Sequence, residues 1–322
     1  MQAPAAIIVN RNAGDMRRDA SAIERLRKSA GLALSLHVTD DLSALAAVCD
    51  SLAQAAVRTI AVVGGDGTAS VTLTALWNAY NAKATPLPQI ALLRGGSMNT
   101  VASSLGVKHG TPAALLERLL EQQRSPELQR VRTRPLFRVG EQRLGFLFGT
   151  GVWYGYLAET YRQGPPTFPI YLKVLGRVFA SAAVNGETIQ RITRPTRTAL
   201  RFRHGDGQAH AQEDWPAQPY LCIAAGTVAD VGFGFQPFHR AFAHDAAFQL
   251  LAISGSAREV LFALPDLRRG RGLPASIARQ TITSWVELEA EGGRIEYSVD
   301  GDIDTIEGTL RLSMGPSFEF LL

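Results

Sequence analysis

Up to Pro126 the chain alternates short apolar runs with helically spaced stretches. Apolar runs at residues 5–9, 59–63 and 89–93 each stop at a polar or glycine-containing loop. Residues 32–38 alternate apolar and polar positions, as a strand with one covered face does. Residues 16–30, with Ile23 and Leu26 on one face, have helical spacing, as do 42–56, 68–82 and 112–122. A further short helix is expected to begin near Ser97. Strands alternating with helices predict an α/β domain with a doubly wound parallel sheet. Beyond Pro126 come short β-branched and aromatic runs separated by Gly and Pro, at 145–148, 199–203, 220–224, 248–253, 284–289 and 295–299. They predict a β-rich, antiparallel, sandwich-like domain, interrupted by helices at 152–162, 170–184 and 257–267. The expected division is therefore 1–128 and 129–306. The alternating 307–312 and the apolar 318–322 are expected to return to the first domain, because a free apolar chain end in water is unfavourable.

Composition narrows the class. Of 322 residues, 46% are hydrophobic and 19% charged, so real cores are expected and disorder is confined to loops. A net charge of +4 does not announce a nucleic-acid binder. Basic residues do cluster, at Arg191, Arg194, Arg197, Arg201 and Arg203, and again at Arg268, Arg269 and Arg271. Solvated strand faces or an anionic surface would each account for them. Cys49 and Cys222 have no metal-ligand spacing and form no disulfide framework, which fits a reducing cytoplasm. The first residues read as a strand rather than a signal peptide, and no apolar run is long enough to span a bilayer. Membrane contact would then be peripheral. A homodimer is left open.

Three glycine-bearing loops follow three of the apolar runs: Asn10-Arg11-Asn12-Ala13-Gly14, Gly64-Gly65-Asp66-Gly67-Thr68 and Gly95-Gly96-Ser97-Met98-Asn99. Parallel strand ends lie along one sheet edge, where ligands bind in this architecture. Glycine lets backbone N–H groups approach phosphate oxygens, and a helix starting directly afterwards adds its positive end. No lysine stands where a Walker loop needs one. Asp66 inside the turn would repel a bare pyrophosphate, but it suits a phosphate-bound divalent cation. No Gly-x-Ser-x-Gly elbow is present, which disfavours a serine hydrolase.

The segment VVGGDGT resembles the signature loop of the catalytic domain shared by diacylglycerol, sphingosine, ceramide and bacterial lipid kinases. Other segments carry the same resemblance in order. Residues 10–14 are similar to the family's Asn-Pro-x-Ser-Gly, and Gly96-Ser97-Met98-Asn99 to its Gly-Thr-x-Asn-Asp. Residues 145–151 resemble the glycine-rich strand that opens the second domain. Gly226 to Asp245 matches the Gly-Asn…Pro…Asp-Gly region, and Asp300-Gly301-Asp302 stands where the family has Asp-Gly-Glu. There are departures: Arg11 and Ala13 in the first loop, Ala69-Ser70-Val71 after the signature, and Ser97 for threonine. Thr100 and Ala246 replace an aspartate and a glycine, and Asp302 is one methylene shorter than glutamate.

The resemblance implies an ATP-dependent kinase using Mg²⁺ on a lipid hydroxyl. It assigns nucleotide binding to Asn10, Gly14, Thr39, Gly64, Gly65, Gly67, Thr68, Gly96, Ser97 and Asn99. It assigns catalysis to Asp66 and Asp302, with Asp302 as general base, and metal binding to Asp66 and, at a second structural site, Asp245. It further implies a lipid partner and transient contact with an anionic membrane surface. Asp300 and Asp302 would equally form a polar β-turn. Residues 161–184 mix apolar, proline and basic side chains, and read either as a lid for acyl chains or as an ordinary packed helix. Two rival functions share these loops: a nicotinamide-dinucleotide kinase, and a non-catalytic binder of nucleotide or lipid.

Overall fold

A computed structural model describes residues 5–19, 21–31, 34–141, 143–193, 195–204, 212–242 and 246–322. The chain divides into two compact units: one up to Arg134 together with Pro316–Leu322, the other Pro135–Gly315.

The first unit contains, in chain order, β1 (Ala5–Asn10), α1 (Gly14–Arg18), α2 (Ala22–Ala30), β2 (Ser35–Thr39), α3 (Leu42–Gln54), β3 (Thr59–Gly64), α4 (Asp66–Ala82), β4 (Gln89–Arg94), α5 (Thr100–Leu105) and α6 (Pro112–Arg124). The strands pair in parallel in the order β2-β1-β3-β4. Nearly every residue of β1 and β3 is buried, as in a parallel strand covered on both faces. α3 packs on α4 and α2 on α6. The sequence signals that start these helices are visible. Asp41 accepts the N–H of Ala44 at 2.8 Å ahead of α3, and Thr111 precedes Pro112 at the start of α6. The expected helix at 16–30 is two helices, because Asp19 accepts both the N–H and the hydroxyl of Ser21 and turns the chain there.

The second unit begins within β5 (Val131–Val139) and continues with β6 (Arg143–Gly145), β7 (Leu147–Thr150), α7 (Val152–Arg162), α8 (Phe168–Val184), α9 (Glu187–Ile192), β8 (Thr196–His204), β9 (Gln212–Tyr220), β10 (Cys222–Gly226), β11 (Phe248–Ile253), α10 (Ala257–Arg268), β12 (Ala278–Ala290), β13 (Arg294–Val299), β14 (Asp302–Glu307) and β15 (Leu310–Leu321). Its antiparallel order is β14-β13-β7-β10-β11-β12-β15, with β8 on β12 and β9 on β8. Phe137, Phe148, Phe202, Phe248, Val286 and Leu312 lie in its core, each essentially inaccessible. A smaller core of Val174, Val178, Ala182, Ile189 and Ile192 joins α8 to α9. The fold is thus a parallel α/β region followed by a β-rich antiparallel region.

The end of β15 belongs to the first unit, where Phe320 pairs in parallel with Ile90 of β4. Phe318, Phe320 and Leu321 are buried there. Within the first arginine-rich stretch Arg191 sits on α9, whereas Arg197 and Arg201 lie on β8 in ion pairs, with Glu291 at 2.9 Å and with Glu289 at 3.0 Å. That is the solvated-strand reading of these residues; Arg194 lies outside the described residues.

Candidate active site

From β1 the chain passes to β2 on one side and then to β3 on the other. This reversal is a topological switch point, and the crevice beyond the carboxyl ends of β1 and β3 is where ligands bind in open α/β sheets. The three glycine loops meet there. Asn10, the last residue of β1, donates from Nδ2 to Thr68 Oγ1 at 2.9 Å, linking the first loop to the second. Its Oδ1 accepts the N–H of Asn12 at 2.9 Å, which turns the loop back on itself. A Cβ on Gly14 would stand 3.4 Å from Ser97 Oγ, so the first loop also lies against the third. Gly95 donates its N–H to Gly64 O at 3.0 Å. A Cβ on Gly96 would fall 2.2 Å from Gly65 Cα, so these two loops pack backbone on backbone. Thr39 is buried; its carbonyl accepts the N–H of Arg11, and its hydroxyl donates to Val9 O at 3.4 Å. It thereby fastens the end of β2 to the first loop.

α4 begins at Asp66, two residues earlier than its spacing predicts, with Gly65 as its N-cap. Gly67 and Thr68 therefore sit in its first turn. The first N–H groups of any helix lack partners within it, and Gly65 brings no side chain to satisfy them. The negative charge of Asp66 would oppose an anion there. Its carboxylate instead accepts the N–H groups of Thr100 at 2.8 Å and Val101 at 2.9 Å, at the start of α5. Asp66 thus ties the second loop to the helix after the third. Burial raises its pKa; these backbone donors and the charge of Arg94 act against that rise. Asn99 closes the third loop: it stands in the left-handed region at φ 52°, accepting Gly96 N–H at 3.0 Å and donating to Gly96 O at 2.6 Å.

Asp302 belongs to the second unit. Asp300 and Gly301 form the two-residue turn between β13 and β14, both with positive φ, 49° and 95°. Such a turn matches the twist of paired strands and favours Asp-Gly. Asp300 is buried and spends its carboxylate on the N–H groups of Phe146 and Leu147, the latter at 2.8 Å. A Cβ on Gly145 would stand 2.4 Å from Val299, so the glycine-rich strand is what lets the turn approach. Asp300 is therefore the anchor, and Asp302 is the half-exposed acid it presents. Arg143 donates to Asp302 Oδ2 at 2.9 Å and from the same nitrogen to Val299 O at 3.0 Å. Tyr161 of α7 donates to Gly301 O at 2.8 Å. Desolvation raises the Asp302 pKa from its ordinary value, and Arg143 restrains the rise.

Sequence reading missed both Arg143 and Tyr161. Arg143 is 159 residues from Asp302, and no spacing signals the pair. Asp245 and His244 lie outside the described residues, as does His210. Among the described residues, no three His, Cys, Asp or Glu side chains gather as a metal site.

Residues 4–129 match the model of the diacylglycerol kinase catalytic domain. These residues belong to the diacylglycerol kinase catalytic-domain family. No curated protein matches the chain. Over its whole length it resembles solved structures from Bacillus anthracis str. Sterne. One, a diacylglycerol kinase, has 17% identity and a TM-score of 0.61, covering 98% of this chain and 96% of that one. Two described as candidate diacylglycerol kinases have the same coverages, at 16% identity with TM-score 0.67 and 18% identity with TM-score 0.64. At such identities the likeness is one of fold. The diacylglycerol kinase domain holds all three glycine loops.

Proposed function

We propose that the protein is an ATP-dependent lipid kinase that transfers the γ-phosphoryl group to a lipid hydroxyl. The observation that carries this reading is the meeting of three glycine loops at the switch point, inside a region of the diacylglycerol kinase catalytic-domain family. Gly64, Gly65, Gly67 and the start of α4 offer backbone donors to phosphate oxygens. Thr68 and Ser97 offer hydroxyls, and Asn10, Gly14, Thr39, Gly96 and Asn99 hold the loops in shape. In the transfer, the acceptor oxygen bonds to phosphorus, its proton passes to the Asp302 carboxylate, and the bridging oxygen leaves with ADP. A carboxylate whose pKa is raised by desolvation is a better proton acceptor than one in water, and Arg143 and Tyr161 position it.

The Asp66 carboxylate would hold Mg²⁺ with the lone pair its donors leave: it accepts two backbone N–H groups and the Thr100 side chain, and Mg²⁺ takes one or two carboxylates together with phosphate and water. When bound, the ion would neutralise charge on the phosphates. Asp245 is proposed for a second, structural metal.

The second unit offers room for an acceptor. A cavity of about 530 Å³ beside α7 has Ile223, Leu288 and Ile295 in its walls, with Arg162 and Arg191 close by. Both arginines are held by the buried Glu159, at 3.3 and 3.1 Å. Such a volume suits a small ligand or part of an acyl chain. No described helix is long and apolar enough to cross a membrane. In this reading the enzyme works in the cytoplasm and meets its substrate at the membrane surface. The deciding experiment is phosphoryl transfer from labelled ATP to a total lipid extract, with the product identified. A labelled lipid supports the proposal. Transfer to NAD alone would make it a dinucleotide kinase. Thermal stabilisation by ATP without any transfer would make it a binder.

A further inference from the structure

The cavity beside α7 joins two kinds of wall. Ile192, Ile223, Leu288, Ala290 and Ile295 line it and are each at most 7% exposed, so they form an apolar floor. Arg162, Arg191, Arg294, Glu291 and Glu296 also line it, with side chains that reach water, so they form a charged rim. An apolar floor under a charged rim suits an amphiphile. Helix packing makes the rim. A Cβ on Gly155 would fall 2.5 Å from Ile192 O, so this glycine lets α7 lie close against α9. That approach brings Arg191 of α9 to Glu159 of α7 at 3.1 Å, where Arg162 of α7 also reaches at 3.3 Å.

The ion pairs of the rim leave one charge over. Arg294 pairs with Glu296 at 3.2 Å, and Glu291 with Arg197 of β8 at 2.9 Å. Arg162 and Arg191 share the single carboxylate of Glu159, which is 8% exposed and so is the fixed member of the trio. Among the described residues that sets four arginines against three glutamates, a surplus of one positive charge at the shared carboxylate. Such a surplus in a partly desolvated cleft attracts an anion and repels a cation. Tyr220 adds a neutral polar group. It is 3% exposed and lines the cavity, and its hydroxyl has no hydrogen-bond partner among the described residues. An unpaired buried hydroxyl is unfavourable, and an oxygen on a ligand would satisfy it.

We propose that this cavity takes a single-chain amphiphile bearing one negative charge, with the anionic group at Arg162 and Arg191 and the chain over the apolar floor. The volume, about 530 Å³, is that of one small ligand, hence one chain rather than two. A neutral headgroup leaves the surplus charge unmatched, and an ammonium group meets it with like charge. Consecutive residues of α7 serve this cavity and the proposed base: Arg162 lines the cavity, and Tyr161 holds the turn that presents Asp302. The inference deepens the lipid-kinase reading, and rests on it, where it names the acceptor: an anionic monoacyl lipid with a free hydroxyl, in preference to neutral diacylglycerol.

The test separates binding from transfer. Titration calorimetry without nucleotide compares two pairs of ligands dissolved as monomers: decanoate with decanol, and a short-chain lysophosphatidylglycerol with the matching monoacylglycerol. Each anion is expected to bind at least about tenfold more tightly than its neutral counterpart, the size of a hydrogen bond to a charged group. A preference confined to one pair names the carboxylate or the phosphodiester as the group that is read. Arg191→Gln should remove the preference while leaving the affinity for the neutral ligand and the circular dichroism unchanged. Tyr220→Phe should weaken binding of the anion without lowering Tm, because the hydroxyl it removes bonds to nothing in the protein. Equal affinities within both pairs, no binding of any of the four, or the parent's affinity for the anion in both variants would overturn the proposal. Transfer from labelled ATP to the two lipids is measured in parallel, and a higher kcat/KM for the lysophosphatidylglycerol is expected. Arginine-dependent binding of the anion without transfer to either lipid would sink the kinase reading alone. Equal transfer to both lipids would sink the anionic acceptor and leave the kinase reading standing.

Discussion

At the residue scale the two carboxylates on which the proposed chemistry depends have different surroundings, and their substitutions should behave differently. Asp302 is half exposed and held by one arginine. Asp302→Asn should lower turnover at least about a hundredfold, the size of a general-base contribution, with nucleotide affinity unchanged by titration calorimetry. Asp302→Glu restores the longer stem of the family pattern and should keep or raise activity. If both variants turned over lipid like the parent, Asp302 would be a turn residue only. The pH profile gives a second handle. A base acts when ionised, so activity is lost as pH falls through its pKa, and the raised pKa of Asp302 moves that acid limb to higher pH than an unshifted aspartate would give. Arg143 restrains the rise, so Arg143→Gln should move the limb to higher pH. A limb that stayed in place would show that Arg143 only packs. Asp66 differs because it also organises the loop. Asp66→Ala should abolish transfer, and it should also cost about 1 kcal/mol of stability by leaving the start of α5 uncapped. Chemical denaturation would detect that cost.

At the element scale the glycine loops invite a paired test. A Cβ on Gly96 would meet the backbone of Gly65, which has no flexible end to give way. Gly96→Ala should therefore weaken ATP binding more than tenfold. Gly176, inside α8, has open space around its Cβ position and no unusual φ. Gly176→Ala should instead raise stability by about 0.4–1 kcal/mol, seen as a higher Tm with ATP affinity unchanged. The same contrast explains what was legible in the sequence. β1, β3 and β4 announce themselves because a strand covered on both faces is a continuous apolar run, and the following loops carry their chemistry in consecutive residues. Helix α7 was read to its observed bounds. The partly exposed β5 and β9 were not foreseen, since their alternation is interrupted by arginines and prolines. The 220–224 run is two strands that part at Leu221, because Leu221 donates its N–H to Ile253 and gives its carbonyl to Val152. Long-range pairs such as Arg143 with Asp302, or Asp66 with the start of α5, leave no local periodicity. They become visible only when the sheet brings them together.

At the scale of the whole molecule the chain crosses between its units twice, after Arg134 and again after Gly315, so that the first unit is completed by a segment distant in sequence while the second is continuous. The last residues are thus structural parts of the α/β unit. Phe320 continues the parallel sheet beside β4, Gln89 donates to Glu319 at 2.8 Å, and Gln122 donates to Leu322 O at 2.6 Å. Phe318, Phe320 and Leu321 are almost fully buried. Burying a side chain of this size contributes roughly 1.5–3 kcal/mol, so the three together rival the whole net stability of an ordinary domain, about 5–15 kcal/mol. Removal of Pro316–Leu322 should therefore unfold the unit that holds the glycine loops, although none of those loops is touched. The truncated chain should lose thermal stabilisation by ATP and expose hydrophobic surface to a reporter dye. Phe320→Ala isolates the packing from the lost sheet pairing. It keeps the backbone beside Ile90 and should cost about 3–5 kcal/mol, read as a shift in the denaturation midpoint. A truncated protein that still bound ATP with the parent's affinity would show that β4 closes the sheet unaided, and that the returning strand adds only a cover.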